Sequence, residues 1–420
     1  MGIEARVKPL PGHQISVEQQ RLMSVDGLLP SKVMRPEDAG DAAAGLRLCD
    51  LGPAAVIVWG GGTQMRLGSV PRRYEIAFST EGMTRMLEYQ PADLTCRVEA
   101  GMRLTDLQAT LAAQGQRLPL DPPRPERATV GGMVAANANG LGRARYGTVR
   151  DWVIGIAVAY PSGKVARAGG KVVKNVAGYD LMKLHIGALG TLGVVAEVNF
   201  KVQARPEAQA TVLGHFDAAL PAIGAATSLA RQYLAPSAAI VIDRHVLWAC
   251  GLTADWRWAL ALKLEGYGRE VDAARDLAVR AVRDAGGRVE GQDIPAAFWD
   301  AARDWSAPPD EVVLLRAITP VGKLPAVVAA IPADAQTLSQ PASGIVDLRL
   351  PAATAATGLK GLRAAAGEEG QVVVLSAPAS AKPGLDVWGP PPPGFPIMWA
   401  LKQALDPNGI VNPGRFVGGI

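Results

Sequence analysis

The stretch Val56–Gly68, VIVWGGGTQMRLG, constrains this chain more than any other. Its β-branched, apolar start reads as a buried strand, and that strand stops at Gly60, Gly61 and Gly62. Glycine accepts positive φ and lets another group touch bare backbone. Successive amides in such a loop can point inward and form an anion nest. The nest lies at the carboxyl end of a strand, where α/β folds bind ligands. Thr63 and Gln64 add a hydroxyl and an amide. Taken alone, the stretch fits a strand-terminating turn equally well.

A second cluster, ATVGGMVAANANGLG from Ala128 to Gly142, carries further glycine pairs, a threonine and two asparagines. It reads as too rich in small residues for a core-packing helix and too apolar for a solvent loop. Backbone of this kind can lie flat against a large planar ligand. GGKVVKNVAGYD and GALGTLGVV supply two more bends. GALGTLG follows a helical pattern and precedes a strand, the reverse of the dinucleotide fingerprint, and no phosphate-loop motif occurs.

The length of 420 residues predicts two or three domains. With 49% hydrophobic, 20% charged and only 5% aromatic residues, the core must be built from Ala, Val, Leu and Ile. A net charge of +4 with scattered Lys and Arg argues against nucleic acid as a partner. Cys49, Cys96 and Cys250 are far apart and odd in number, which supports neither a disulfide framework nor an iron–sulfur cluster. They are expected to be buried, reduced thiols in a cytoplasmic protein. The N-terminus lacks a signal-peptide run, and no segment has the apolar length of a membrane helix, so any membrane contact is expected through a partner.

Along the chain, a variable arm with a short helix precedes a strand and an Ala-rich helix within LLPSKVMRPEDAGDAAAGLRL. AAVIVWG, YEIAFST and DLTCRVEAG read as strands, and RLTDLQATLAAQG as a helix stopped by Gly115. From Arg150 the pattern predicts a hairpin, with Trp152, Ile154, Ile156, Val158 and Tyr160 alternating before a Pro-Ser-Gly turn. GYDLMKLHIGALG reads as a short helix, and TLGVVAEVNFKVQARP as a strand with Val194, Ala196, Val198, Phe200 and Val202 on one face. Beyond Pro206, strand-like runs alternate with Ala-rich helices, an α+β texture of two similar halves. VWGPPPPGFP reads as a linker. It leads into a last helix with Met398, Leu401 and Leu405 on one face.

In order, VWGGGTQ, PPRPERATVGGMVAANANGLGRARYGTVRDWVIGIAVAYPSGKV and GGKVVKNVAGYDLMKLHIGALGTLGVVAEV resemble the FAD-binding domain of the vanillyl-alcohol-oxidase and p-cresol-methylhydroxylase (PCMH) group. The terminal DPNGIVNPGRF is similar to the closing segment of FAD-linked hydroxy-acid oxidases, and DPPRPERATVGG, YGTVRDWVIG and VVKNVAGYDLMKL resemble the FAD-binding subunits of bacterial glycolate oxidases. The fold this implies is α+β: a two-lobed PCMH-type FAD-binding domain, an α+β cap-like domain, and a C-terminal segment returning to the flavin domain. The expected boundaries are an arm at 1–29, the FAD domain at 30–206, the cap at 207–386, and the Pro-rich linker with helix and tail at 387–420.

By the same resemblance, Gly60, Gly61, Gly62, Thr63 and Gln64 take the FAD pyrophosphate. Thr129, Gly132, Ala136, Asn137, Asn139 and Gly140 line the flavin, ribityl and phosphate path, and Gly190 and Val195 bring backbone near the adenine half. No His lies in the glycine loop to attach the cofactor, so the FAD is expected to be non-covalent. A Cβ at Gly61 is expected to strike the cofactor and abolish its binding without disturbing the fold.

Oxidising a 2-hydroxy acid needs a base for the hydroxyl proton and a cation for the carboxylate. Catalytic relatives resemble one another in a His-x-Gly-Asp-Gly-Asn-x-x-His segment, which this chain lacks. His13, His185, His215 and His245 are too scattered for a metal pair, and no metal is expected. His185, sharing a face with Leu181 and Leu184, reads as a packed core residue. Lys171, Lys174, Arg145 and Arg150 lie near the flavin segments as candidate charge partners for reduced flavin, with solvated or phosphate-facing charge as the plainer role. Trp248, Trp256, Trp258, Trp299 and Trp305 are candidates for a partner surface or a core. No catalytic residue is assigned.

The leading expectation is the FAD-binding subunit of a glycolate oxidase complex, with a catalytic flavin subunit and an iron–sulfur subunit as partners. It would be cytoplasmic, or peripheral to the inner membrane face through them. The alternatives are a self-sufficient FAD-dependent 2-hydroxy-acid dehydrogenase and a structural subunit with a vestigial flavin. One consequence is direct: acid precipitation of the yellow protein should release all flavin as free FAD, and fluorescence left on the denatured chain would contradict it.

Overall fold

The structure, a computed structural model, describes residues 13–170, 179–232, 235–252, 256–289, 294–295, 297–309 and 311–420. The first lobe is a four-stranded sheet in the order His13–Gln14, Lys32–Met34, Ile76–Ser79, Val56–Trp59, whose last three strands run parallel. Helix Ala39–Leu51 covers it, with Ala42, Ala43, Leu46 and Cys49 buried against Val56 and Phe78. Asp38 caps this helix through the Asp41 amide. The second lobe is antiparallel, in the order Met86–Gln90, Thr95–Glu99, Val194–Lys201, Val153–Ala159, Val165–Gly169.

The expected hairpin pairs Val153–Ala159 with Val165–Gly169. Trp152, however, closes a short helix, Val149–Trp152, and the strand after it is buried on both faces. Helices Leu104–Ala112 and Val130–Ala136 pack on one side and helix Ala39–Leu51 on the other, so the alternation read from the sequence does not separate core from solvent. Strand Met86–Gln90 carried no clear signal, because its half-exposed residues mix apolar and polar side chains without a clean alternation.

Past Pro206, eight antiparallel strands form one sheet built of two βαββαβ halves. Each half has its strands in the spatial order 4-1-3-2, and the second strands meet through Val241–Ser339 and Ile242–Leu338. One face packs on helices Ala219–Leu229, Gly268–Asp284 and Ala352–Ala366, through Val241, Leu260, Leu315 and Leu348. The other face, with Leu213, Ile240, Ile242, Leu314 and Leu338, receives Leu141 of the flavin lobes. Apolar residues on both faces explain the unbroken apolar runs of these strands.

The chain then returns. Val56 donates to the Ile410 carbonyl at 2.8 Å and Asn412 donates to Val56 at 2.9 Å, so the tail lies along the first sheet's edge strand. The preceding helix Phe395–Leu405 departs from its expected packing. Met398, Leu401 and Leu405 are only half-buried, and Lys402 is its buried residue. Lys402 Nζ donates to Asp406 at 2.6 Å, to the Thr191 carbonyl at 2.7 Å and to the Val411 carbonyl at 3.0 Å. Asp406 also accepts the Ile410 and Val411 amides. This buried ion pair fixes the tail on the flavin lobes. No helix among the described residues is long and apolar enough to cross a membrane.

Removing one partner of a buried pair leaves an uncompensated charge. Lys402→Met should therefore destabilise the protein by about 3–5 kcal/mol. The double variant Lys402→Met/Asp406→Asn should lose less than the sum of the single losses. Urea unfolding measures both.

Candidate FAD cleft and its arginine cavity

Strand Val56–Trp59 delivers the glycine turn directly onto residues 127–131. A Cβ at Gly61 would overlap the Arg127 carbonyl, one at Gly60 would overlap the Thr129 hydroxyl, and Gly131 lies against Ala100. Gly62 turns the chain with φ of +72°. The Gly61 expectation is therefore corrected. What fills the space beside it is protein backbone, so a larger side chain there breaks chain packing before it meets a ligand.

The segment from Ala128 is also not irregular. Val130–Ala136 is a helix capped by Thr129, with Val130, Met133 and Val134 in the core. Its small residues are the reason it can lie so close. Asn137 ends it in the left-handed region, φ +47°, a position asparagine tolerates. The first three helical amides are already bonded, to Met102 O, Ala100 O and Thr129 Oγ1. The helix therefore offers a wall, and the open donors lie elsewhere. The amides of Gly61, Gly62, Thr63 and Gln64 donate to no group among the described residues.

Gly60, Gly61, Gly62, Thr63, Gln64, Thr129, Gly132, Ala136, Gly190 and Val195 line one narrow cleft of about 80 Å³. Asn137 and Asn139 line a neighbouring cavity of about 280 Å³, which shares Gly62, Thr63, Gln64 and Ala136 with the cleft. Gly140 lines neither and abuts Asp121, whose backbone and carboxyl leave no room for a Cβ. Asn139 is buried, donating to Asn137 O and accepting from the Val149 amide. A further cavity of about 670 Å³ lies between residues 108–121 and the eight-stranded sheet, and none of these residues lines it.

Several cleft residues escaped the sequence reading. Thr80, Leu189 and Gly193 approach from neighbouring loops, and Asn412 and Arg415 come from the tail. Asn412 accepts from the Val58 amide at 2.8 Å and donates to Leu189 O at 2.5 Å, tying strand, bend and tail together. The only signal was the tail's likeness to a family closing segment.

Every ionisable side chain among the described residues lining the larger cavity is an arginine: Arg66, Arg124, Arg127 and Arg316. Arg316 comes from the eight-stranded sheet and is paired with buried Asp347 by two bonds of 2.7 Å. Arg124 donates to the Ala307 carbonyl, and Arg127 to the Gly61 carbonyl.

None of the remaining candidates among the described residues lines the cleft or the arginine cavity. His185 is buried 2.9 Å from the Tyr160 hydroxyl, and burial pushes its pKa down to about 4. Leu181 and Leu184 on the same turn are exposed. Arg145 donates to Ala235 O, and Arg150 is exposed. Lys171 and Lys174 lie outside the described residues. Trp305 is core, and Trp248 is half-exposed. All three cysteines are buried, and burial pushes Cys49 to about 11 and Cys96 and Cys250 to about 12.

Residues 30–169 match the FAD binding domain family, and residues 391–416 match the C-terminal domain of FAD linked oxidases. Over 351 residues the chain is 31% identical to glycolate oxidase subunit GlcE of Escherichia coli (strain K12), spanning 79% of this chain and 84% of that protein. The chain belongs to this FAD-linked oxidoreductase family. It is also 32% identical over 189 residues to glycolate oxidase subunit GlcD of Bacillus subtilis (strain 168), which is 45% of this chain and 40% of GlcD. A p-cresol methylhydroxylase crystal structure shares the fold, with a TM-score of 0.73 at 14% identity, covering 96% of this chain and 93% of that one.

FAD is the family's cofactor, and the open amides, the bare glycine backbone and the buried Arg415 fit an elongated anionic ligand. Two substitutions separate cleft from scaffold. Ala136→Leu, projecting into the shared wall, should lower FAD occupancy at least about tenfold, the order expected of blocked contacts, while the apoprotein melts as before. Gly61→Val should instead lower the melting temperature of the apoprotein. Flavin absorbance per chain and calorimetry read the two effects.

Proposed function

We propose that this chain is the FAD-binding oxidoreductase subunit of a glycolate oxidase complex, a 2-hydroxy-acid dehydrogenase. It holds FAD non-covalently on Gly60–Gln64, Thr129, Gly132, Ala136, Asn137, Asn139, Gly190 and Val195. The flavin lobes comprise residues 30–206, after an arm at 1–29. The cap spans 207–386 and the tail 387–420. A catalytic flavin subunit performs substrate oxidation, an iron–sulfur subunit carries electrons onward, and any membrane contact is peripheral and made through these partners.

The observation that carries this reading is that every ionisable side chain lining the cavity beside the cleft, among the described residues, is an arginine. Arginine stays protonated and has no acceptor, so it can hold a carboxylate but cannot take the hydroxyl proton of a 2-hydroxy acid. Asp347, behind Arg316, has both oxygens engaged by that guanidinium. Bound FAD supplies a two-electron acceptor. The chain's own residues supply its seat and a fixed positive field. The likeness to both GlcE and GlcD supports assembly with a related flavin subunit.

Anaerobic spectra test the proposal. Excess glycolate or D-lactate should leave the flavin absorbance of the isolated chain unchanged, and glycolate should bleach it once the catalytic flavin and iron–sulfur subunits are added. Rapid bleaching of the isolated chain would overturn the accessory role in favour of a self-sufficient dehydrogenase.

A further inference from the structure

A buried charge cluster sits where the arm, the glycine loop, the exit from the cap and the tail meet. Arg415, 4% exposed, lines the FAD cleft. Its Nη2 donates to Met65 O at 2.6 Å and to Leu67 O. Its Nη1 has no hydrogen-bond partner among the described residues, and Asp26 Oδ2 lies 3.8 Å away. The other Asp26 oxygen accepts from Lys382 Nζ at 2.6 Å, and Lys382 also donates to Arg66 O at 2.6 Å. Lys382 is 2% exposed.

Two cations thus share one carboxylate, leaving a buried positive charge unmatched and a guanidinium donor unused. Buried donors and charges are costly unless paired. The adjoining cleft wall presents the open amides of Gly61 to Gln64, which also suit an anion. Arginine's planar fork matches phosphate oxygens.

We propose that Arg415 binds the diphosphate of FAD, and that Asp26, shared between Arg415 and Lys382, sets how much of the cluster's positive charge is left for that ligand. This rests on FAD occupying the cleft and adds a residue of the C-terminal tail to that site. The tail then acts as part of the cofactor seat, and the arm and the cap are coupled to cofactor affinity through Asp26 and Lys382.

The charged groups facing Lys382 are Asp26, Arg66 and Arg415, and its burial pushes its pKa down to about 8. Tyr74, beside Arg415, stays neutral because burial raises its pKa. As pH rises through about 8 the cluster loses one positive charge, so diphosphate affinity should fall between about pH 7 and about pH 9.

The test titrates the full-length apoprotein with FAD, ADP and riboflavin, following binding by calorimetry. Arg415→Met should weaken FAD and ADP by about tenfold to a hundredfold, the scale of a hydrogen bond to a charged group, and leave riboflavin unchanged. Asp26→Asn keeps an acceptor for Lys382 but removes the opposing charge. ADP should then bind as tightly as to wild type or more tightly, even though the apoprotein melts lower. A merely structural cluster would weaken all three ligands in both variants, which would overturn the inference. So would weaker ADP binding by Asp26→Asn, and that variant decides the matter if Arg415→Met does not fold. Loss of FAD but not ADP in Arg415→Met would move the contact to the flavin ring and also overturn it. Wild-type apoprotein binding neither FAD nor ADP would instead refute the cleft itself.

Discussion

Backbone lying on backbone at Gly60, Gly61 and Gly131 is the contact on which the rest of the site depends. With no Cβ at these positions, the turn after strand Val56–Trp59 can touch residues 127–131, and helix Val130–Ala136 can lie against Ala100. Two consequences follow from that approach. The first sheet's turn is held against the helix that packs on the second sheet through Met133 and Val134, and the turn's amides are left with no partner among the described residues. A tight protein contact and an open ligand nest are thus products of the same glycines. The cavity of about 670 Å³ shares no lining residue with the cleft.

Electrostatics gives the cleft its polarity. Lys402 and Asp406 settle the tail with a pair that closes on itself, since the ammonium and the carboxylate both find backbone partners. Arg415 and Lys382 do not close in this way, because Asp26 cannot neutralise both. The arginines of the neighbouring cavity extend the same sign. A fixed positive field in a partly desolvated site favours anionic ligands and stabilises negative charge wherever it develops. It does not supply a proton acceptor, and that chemical asymmetry separates holding a flavin from oxidising a hydroxy acid.

The eight-stranded sheet serves the site by its position. The face that carries helices Arg244–Ala249 and Phe298–Asp304 also meets the flavin lobes through Leu141, and this places Leu314, Arg316, Leu375 and Ser376 over the cavity. The duplicated βαββαβ plan makes a broad, rigid platform in which only a few side chains near one edge touch the site. That explains why the middle of the chain reads as a generic α+β texture with no motif of its own.

The sequence alone located the segments that line the cleft, because each of them is made locally. The glycine turn, the Thr129-capped segment and the bend at Gly190 are each contiguous, and small residues announce backbone contact wherever they stand. It misjudged Val130–Ala136 as too small for a core-packing helix and the space at Gly61 as ligand space, because composition does not reveal which backbone a helix will lie against. Only the tertiary structure brought Asp26 to Lys382, 356 positions apart, and Arg415 to Met65, 350 apart. The same holds for Arg316, whose place among Arg66, Arg124 and Arg127 depends on how the cap sheet docks. Charge pairing at such separations leaves no periodicity or spacing in the sequence. It is decided when four distant segments are buried together and each buried charge must find a partner or a ligand.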